Sequence, residues 1–501
     1  MPKSVLLFVF VFLANAVFAA EKFSTHFSFS NGMFLLVFAI LVYITYVVFR
    51  GAMRGLKTSL EGADEKTERG LKAKWNEVFE SRNVIVYISV MFLIMFGLYY
   101  FVVGTTMESH VVEWLNLIVR WAHVVFGIAW IGASFYFNFL ENSLNRTENL
   151  RDELAGNLWA VHGGGFYYLE KYKIAPKEIP KHLHWFKYEA YFTWLSGFVL
   201  LFIVYYLNAK VYLIDPQVMD LAPKTAVAIG IGSLIVGWIV YDLLCKSRLS
   251  KNPAVFGLIL FLFIAGASYL LLQIFSARAA YIHVGALIGT MMVGNVFRVI
   301  IPSQKAMVKA AIEGTPVNPQ LGKNALLRSR HNNYLTLPVI FIMISNHYPS
   351  TYGSAFNWIV LMGLTITSVL VKHYLNKIEQ GQKAVWIMPI AVIGMISMAL
   401  ITAPRVKEVC EEGTVTTFLD VQPIIQKRCV QCHSATPTDD VFTTAPNNIM
   451  FDTPEQCASQ ADRILQRAVI NKTMPQVNKT GMSQEERDAL QCWIEGGAVI
   501  K

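Results

Sequence analysis

Three residues near the C-terminus carry the most specific chemistry of this sequence. Cys429, Cys432 and His433 are spaced as C-x-x-C-H. In this pattern the two thiols form thioethers to the vinyl groups of a haem, and the histidine ligates its iron. A zinc site would need a second Cys or His pair at matching spacing, which Cys457 and Cys492 do not supply. We therefore expect a covalently attached haem c, and with it electron transfer.

The second axial ligand of that iron should be a methionine, because a thioether stabilises the ferrous state and raises the potential. Met474 precedes a proline in a polar loop downstream of the motif. The iron ligands are therefore predicted to be His433 and Met474. Met482 is the alternative, but Ser483 and Glu486 form a capping box that predicts the start of the last helix directly after it.

The elements that must position this motif are mostly apolar. Hydrophobic residues make up 54% of the chain and charged residues 15%, which is typical of a polytopic membrane protein. Residues 1–20 resemble a secretory signal cleaved near Ala19, with an uncleaved membrane anchor as the alternative. Ten further apolar stretches are candidate crossings: 32–50, 84–104, 112–140, 187–208, 223–244, 253–275, 279–301, 333–348, 355–375 and 385–403.

The expected fold class is all-α. A polytopic transmembrane helical bundle of about ten helices should occupy residues 21–404, and a soluble cytochrome c-like domain should occupy residues 405–501. No internal repeat, P-loop or dinucleotide-binding fingerprint is present.

The orientation follows from the distribution of Lys and Arg. The loops on one side of the predicted bundle contain only Lys22, Lys210 and Arg278. The positive-inside rule assigns the basic loops to the cytoplasm and the segment after residue 404 to the outside, the periplasm of a bacterial inner membrane. The net charge of +9 reflects this topology, and no motif indicates nucleic-acid binding. The basic loops are 50–82, 141–187, 244–252, 302–332 and 372–383.

Two groups of histidines have a predicted depth in the membrane. His123, His283 and His347 fall in the outer leaflet, beneath the cytochrome domain. They are candidate ligands of a second haem b or a metal in the membrane domain, with Arg120 as a partner for haem propionates. The alternative is that each hydrogen-bonds a neighbouring helix.

The second group faces the cytoplasm. His162 and His184 lie in the loop 157–193, which is dense in aromatic residues, and Arg330 and His331 precede the eighth apolar stretch. These donors and rings suit a planar anion. An interfacial aromatic belt is the alternative explanation for the loop.

The remaining cysteines on the oxidising side make one disulfide plausible. The first choice is Cys457 with Cys492, which leaves Cys410 unexplained.

Four segments carry a resemblance to a known family. They resemble the bacterial membrane-bound urate hydroxylases, whose members join a polytopic urate oxidase N-terminal region to a C-terminal cytochrome c. The resemblance extends from about residue 30 through the Gly481–Arg487 tail, and the signal-like segment is the departure from it. The segments are Trp121–Gly132, His162–Tyr167, His184–Tyr191 and Arg330–Pro338.

The resemblance implies that urate is oxidised to 5-hydroxyisourate, with electrons passing to the cytochrome and onward to a respiratory acceptor such as a terminal oxidase. His162, His184, His331 and Arg330 are the candidate catalytic residues. One alternative is a respiratory quinol-oxidising membrane cytochrome subunit. A membrane sensor or transporter with a redox tail is another.

The distance between the two predicted sites is a physical constraint. If urate binds near the inner loop, its electrons must cross about 30 Å of hydrocarbon to reach the haem. Tunnelling falls off exponentially with distance, so a direct transfer would be too slow. Either a second redox group lies in the membrane, or urate binds in the outer leaflet close to the cytochrome.

The orientation predicts the outcome of reporter fusions. Fusions after residues 165 and 315 should report a cytoplasmic location, and fusions after residues 215 and 440 a periplasmic one, because the charge bias fixes the orientation. Paired phosphatase and fluorescent-protein reporters would measure this. A periplasmic signal after residue 165 would reverse the predicted topology.

Overall fold

The structure is a computed structural model. It describes residues 107–501 apart from residues 148, 177, 181–182, 404–408, 411–415, 443 and 501. The signal-like segment 1–20 and the predicted crossings 32–50 and 84–104 lie outside the described residues. Within them, Val112–Lys501 form one compact unit.

The described residues are mostly helical. The first ten helices are α1 (Met107–Ser143), α2 (Tyr188–Leu201), α3 (Pro223–Lys246), α4 (Pro253–Leu272), α5 (Ala277–Gly294), α6 (Ile301–Ile312), α7 (Pro319–Ser345), α8 (Pro349–Tyr352), α9 (Asn357–Glu379) and α10 (Ile387–Ile401). Four more follow: α11 (Phe418–Arg428), α12 (Pro454–Ser459), α13 (Ala461–Ile464) and α14 (Gln484–Glu495).

Six of these helical stretches in the described part of the chain are long and apolar enough to cross a membrane. Each coincides with a predicted crossing, so the chain has the helices of a multi-pass membrane protein. The predicted crossing 333–348 lies inside α7, and α10 has only 15 residues. The six are His110–Ser143, Tyr188–Tyr206, Pro223–Lys246, Pro253–Leu272, Ala277–Ile312 and Asn357–Glu379.

Local sequence explains where several helices begin and where two are distorted. The Asn252 side chain caps α4 by accepting hydrogen bonds from two backbone N–H groups, and a proline follows at the first helical position. π-Helical turns extend α2 at Phe202–Tyr206 and α5 at Asn295–Ile300. A further π-helical turn is Ala209–Leu213. Such turns often occur at functional sites, and all three contribute polar side chains discussed below.

The connectors fall at two opposite ends of the bundle because successive helices alternate in direction. We call the end formed by residues 207–222, 273–276 and 346–356 the docking end. The opposite end, which contains residues 144–187, is called the hairpin end. The predicted orientation assigns the docking end to the outside.

The connector 144–187 contains a β-hairpin, so the all-α prediction was wrong here. Strands β1 (Leu154–His162) and β2 (Gly165–Tyr172) pair antiparallel. The two-residue turn between them consists of Gly163 (φ 57°) and Gly164 (φ 79°). Two positive φ angles are the requirement of a type I′ turn, and Gly-Gly meets it without strain. Aromatic residues on both strands favour the extended conformation.

The helices after residue 416 pack around a hydrophobic cluster of their own and are called the C-terminal segment (residues 416–500). Ser483 and Glu486 form the predicted capping box of α14, so this helix start is confirmed. Arg428 binds Glu486 at 2.9 Å and ties α11 to α14. The fully buried members of the cluster include Val421, Ile425, Cys457, Leu490 and Trp493.

The predicted disulfide was wrong. Cys492 is bonded to Cys410, across 82 residues of sequence. Cys457 is fully buried in the hydrophobic cluster of the C-terminal segment and is a free thiol. The bond therefore joins α14 to the segment that follows α10, the last apolar helix.

The C-terminal segment packs against the docking end. Gln476 Nε2 donates a hydrogen bond to the Val211 carbonyl at 3.3 Å. The rings of Tyr212 and Phe442 lie 6.4 Å apart in an edge-to-face arrangement. The described C-terminal motif is thereby held against the ends of the apolar helices.

Two glycines of α5 provide a matched test of the packing between α3 and α5. A Cβ at Gly294 would lie 2.5 Å from ring atoms of Trp238, whereas a Cβ at Gly289 would meet nothing within 4 Å. Gly294→Ala should destabilise the detergent-solubilised protein by about 1–3 kcal/mol because a rigid indole must move. Gly289→Ala should be neutral or stabilising by about 0.5–1 kcal/mol. Thermal unfolding measures both, and equal melting temperatures would contradict this packing.

Candidate functional site

The four residues predicted to be catalytic are not brought together. His162 is exposed at the hairpin turn, and Arg330 is exposed on α7. His184 is also exposed, with its ring 4.5 Å from that of Phe186. His331 belongs to a polar network inside the bundle. Within the described ranges, no hydrogen bond or ring contact joins any two of the four.

That network connects α3, α5 and α7 near the hairpin end. The Tyr241 hydroxyl hydrogen-bonds His331 Nδ1 at 2.8 Å, and the His331 ring stacks on Phe256 at 4.5 Å. Asn295 Nδ2 donates to Tyr241 Oη and to Asn332 Oδ1, each at 2.8 Å. These buried polar atoms satisfy one another, as polar atoms in an apolar interior must.

The buried arginine of this network has a carboxylate partner. Arg328 is 4% exposed and donates to Asp242 at 2.6 Å and to Asn295 at 3.1 Å. Lys246 binds the same carboxylate at 2.5 Å. Sequence analysis favoured Arg330, but Arg328 is the arginine that faces the interior. The signal that was missed is Asp242, an acidic residue inside an apolar helix, where a charged group requires a partner.

The three histidines predicted to share a membrane cofactor are also separate. His283 is fully buried and uses both ring nitrogens, donating to a carbonyl one turn earlier (2.8 Å) and accepting from the Tyr206 hydroxyl (3.0 Å). His123 Nδ1 donates to the Thr193 carbonyl at 3.0 Å. His347 is exposed. Among the described residues, no three His, Cys, Asp or Glu side chains lie close enough to hold a metal ion.

A second polar group lies at the docking end, where sequence analysis left an outer-leaflet urate site open as an alternative but named no residues for it. Arg278 Nε donates to Asn346 Oδ1 at 3.2 Å, and the Tyr205 hydroxyl donates to the same oxygen at 3.1 Å. The Arg278 guanidinium lies over the Tyr212 ring, 5.4 Å from its centroid. Arg120, on α1, is exposed and donates to Asn116 Oδ1 at 2.9 Å, and its charge opposes that of Arg278. We call Arg120, Tyr205, Tyr212, Arg278 and Tyr352 the arginine–tyrosine cluster.

The C-x-x-C-H motif forms a tight turn directly after α11. The backbone N–H groups of Cys432 and His433 donate to the Cys429 carbonyl at 3.2 and 3.0 Å. His433 Nδ1 donates to the Ile449 carbonyl at 2.9 Å, which fixes the ring and makes Nε2 the unprotonated nitrogen of the neutral imidazole. Burial lowers the pKa of His433, so its imidazole is neutral at neutral pH. Both cysteines are free thiols.

The two candidate methionines have different surroundings. Met482 is 3% exposed inside the hydrophobic cluster of the C-terminal segment. Met474 is partly buried in a loop, where its N–H donates to the Arg467 carbonyl and its own carbonyl accepts from Arg487, both at 2.9 Å. Gln476, two residues later, contacts the docking end. The Met474 loop therefore lies at the junction between the C-terminal segment and the apolar helices.

The described chain is thus a multi-pass helical bundle with polar groups at both ends, and the segment that carries the Cys/His motif packs on one of them. Residues 109–403, more than half of the chain, match the family described as urate oxidase N-terminal, and the chain belongs to this family. Searches of curated proteins and of solved structures each gave no match. The family indicates an oxidoreductase related to urate oxidases.

Proposed function

We propose that the protein is a membrane-bound oxidoreductase that oxidises urate to 5-hydroxyisourate and delivers the electrons to a haem c on its own C-terminal segment. The observation that carries the proposal is the combination within one chain of a urate oxidase family region and a C-x-x-C-H motif. The motif belongs to a segment that contacts the ends of the family's helices.

The stoichiometry makes an electron acceptor necessary. Conversion of urate to 5-hydroxyisourate adds the oxygen of one water molecule and releases two protons and two electrons. A bound c-type haem would supply one-electron exchange. The two electrons would therefore leave in single steps towards a downstream respiratory acceptor.

The residues present fit a covalent haem. Cys429 and Cys432 are free thiols at the attachment spacing. His433 has Nδ1 engaged with a carbonyl, an arrangement that leaves Nε2 to ligate iron. Met474 would supply the second ligand, since Met482 is enclosed in the hydrophobic cluster. The docking end, and with it the haem, would face the periplasm of an inner membrane.

Substitutions in the C-terminal segment test the haem and its ligands. Cys432→Ala should abolish haem staining on a denaturing gel because one thioether is lost. Met474→Ala should retain the covalent haem but lower its midpoint potential, since methionine favours the ferrous state. Redox titration of the purified proteins measures this. A normal potential in Met474→Ala together with a lowered one in Met482→Ala would contradict the ligand assignment.

The proposed reaction is tested by adding urate anaerobically to the purified full-length protein. The haem spectrum should change from the ferric to the ferrous form, because the electrons released from urate pass to the haem and no oxygen is present to remove them. The same addition to Cys432→Ala protein is the control. Reduction of the haem by a quinol, with no response to urate, would instead support a quinol-oxidising cytochrome subunit.

A further inference from the structure

The arginine–tyrosine cluster contains positive charge without a matching carboxylate. No acidic side chain in the described part of the chain forms an ion pair with Arg120 or Arg278. Their hydrogen-bond partners are the neutral amides of Asn116 and Asn346. Arg328 at the hairpin end shows the usual solution, a direct pairing with Asp242. Arg278 is partly buried and has only neutral partners, so an anion bound beside it would supply the compensation that Asp242 gives Arg328.

The surroundings of these charges are aromatic and uncharged. Tyr205 and Tyr212 are in edge-to-face contact at 6.2 Å, and Arg278 lies over the Tyr212 ring. Tyr352 is a further phenol within electrostatic range of Arg278. Flat rings beside a forked donor suit a planar anion, which can lie against a ring while it accepts hydrogen bonds from the fork.

The cluster is next to the predicted haem attachment. The Tyr212 ring contacts Phe442 of the C-terminal segment and lies within electrostatic range of Cys432. Gly353, the residue after Tyr352, packs against the Met474 loop, because a Cβ there would lie 2.8 Å from Thr473 Cγ2 and 3.0 Å from the Asn471 carbonyl oxygen. A molecule bound by Arg278 would therefore lie beside the haem and at the opposite end of the bundle from the hairpin.

We propose that the arginine–tyrosine cluster binds the urate monoanion at the docking end, beside the haem of the C-terminal segment. This proposal rests on the proposed function. Arg278 and Arg120 neutralise the anion, Asn346 orients Arg278, and Tyr212 provides a flat wall. Electrons then pass directly from the substrate to the neighbouring haem, so the transfer does not cross about 30 Å of hydrocarbon. No second membrane cofactor is required for this path.

Substitution of the arginines tests the pocket. In the full-length holoprotein, Arg278→Gln should raise the KM for urate by about 10- to 100-fold, the usual loss for a charged hydrogen bond, with a much smaller change in kcat. Arg278→Lys should give a KM between those of the unsubstituted protein and Arg278→Gln, because lysine keeps the positive charge but lacks the forked donors of the guanidinium. Arg463→Gln, which removes an exposed arginine of the C-terminal segment, is the matched control and should leave KM unchanged.

The same variants distinguish urate from a haem propionate, the other carboxylate-like anion that this position could hold. The haem midpoint potential is measured together with KM. A raised KM supports the proposal. An unchanged KM in Arg278→Gln protein with full haem content overturns it, and a shifted potential in that case assigns the arginine to a propionate. If Arg278→Gln does not fold, KM and the haem midpoint potential are measured for Arg120→Gln on α1, and the same outcomes decide.

The side from which urate acts provides an independent test. Purified protein is placed in sealed vesicles, and its orientation is determined by protease digestion of the C-terminal segment. Urate, an anion that does not cross the bilayer, should reduce the haem only from the side that carries this segment. Reduction only from the hairpin side would contradict urate binding at the arginine–tyrosine cluster, but it would still support the proposed reaction. Absence of reduction even in detergent would reject the reaction itself and the pocket with it.

Discussion

Compensation of buried charge determines how polar side chains are arranged in this bundle. At the hairpin end, Arg328 is paired with Asp242, and the surrounding amides satisfy the remaining donors. Lys372 is fully buried on α9, and among the described residues its Nζ has no hydrogen-bond partner, but the amine lies 3.6 Å from the centroid of the Phe135 ring. A cation over an aromatic face is partly stabilised without a carboxylate. Among the described residues of the docking end, Arg278 donates to the neutral amide of Asn346 and the exposed Arg120 to that of Asn116, so we expect this end to accept an added anion.

Docking of the C-terminal segment brings the Cys/His motif to the docking end of the bundle. The Met474 loop runs from Arg467, near Tyr352, to Gln476, which binds Val211. The loop that should provide the iron ligand is therefore also the loop that holds the segment on the bundle. Because both parts belong to one chain, docking is intramolecular and is favoured by a high effective concentration. A change in docking would alter the surroundings of Met474 and the pocket wall at the same time.

The sequence predicted the features that depend on local pattern. Apolar runs located the membrane helices, and Ser483 with Glu486 marked the start of α14. The hairpin was missed although Gly163-Gly164 between aromatic runs is its usual signal, because a connector in a helical membrane protein was not read for strands. The disulfide was missed because pairing depends on tertiary proximity, and spacing cannot bring Cys410 to Cys492. Arg278 was counted only as a charge in the topology, since its neighbours come from four other elements of the fold.

The aromatic hairpin has a simpler role under the proposal that urate binds at the docking end. Trp159 and Phe166 are 67% and 79% exposed, and the histidine at its turn contacts no other candidate catalytic residue among those described. Amphipathic aromatic rings are favoured at the boundary between lipid and water. The predicted orientation brings this hairpin to the cytoplasmic boundary, where such rings anchor a connector in the interface. Membrane position would then explain the density of aromatic residues that first indicated a substrate site, and the planar anion would be bound by the tyrosines and arginines next to the segment that carries the C-x-x-C-H motif.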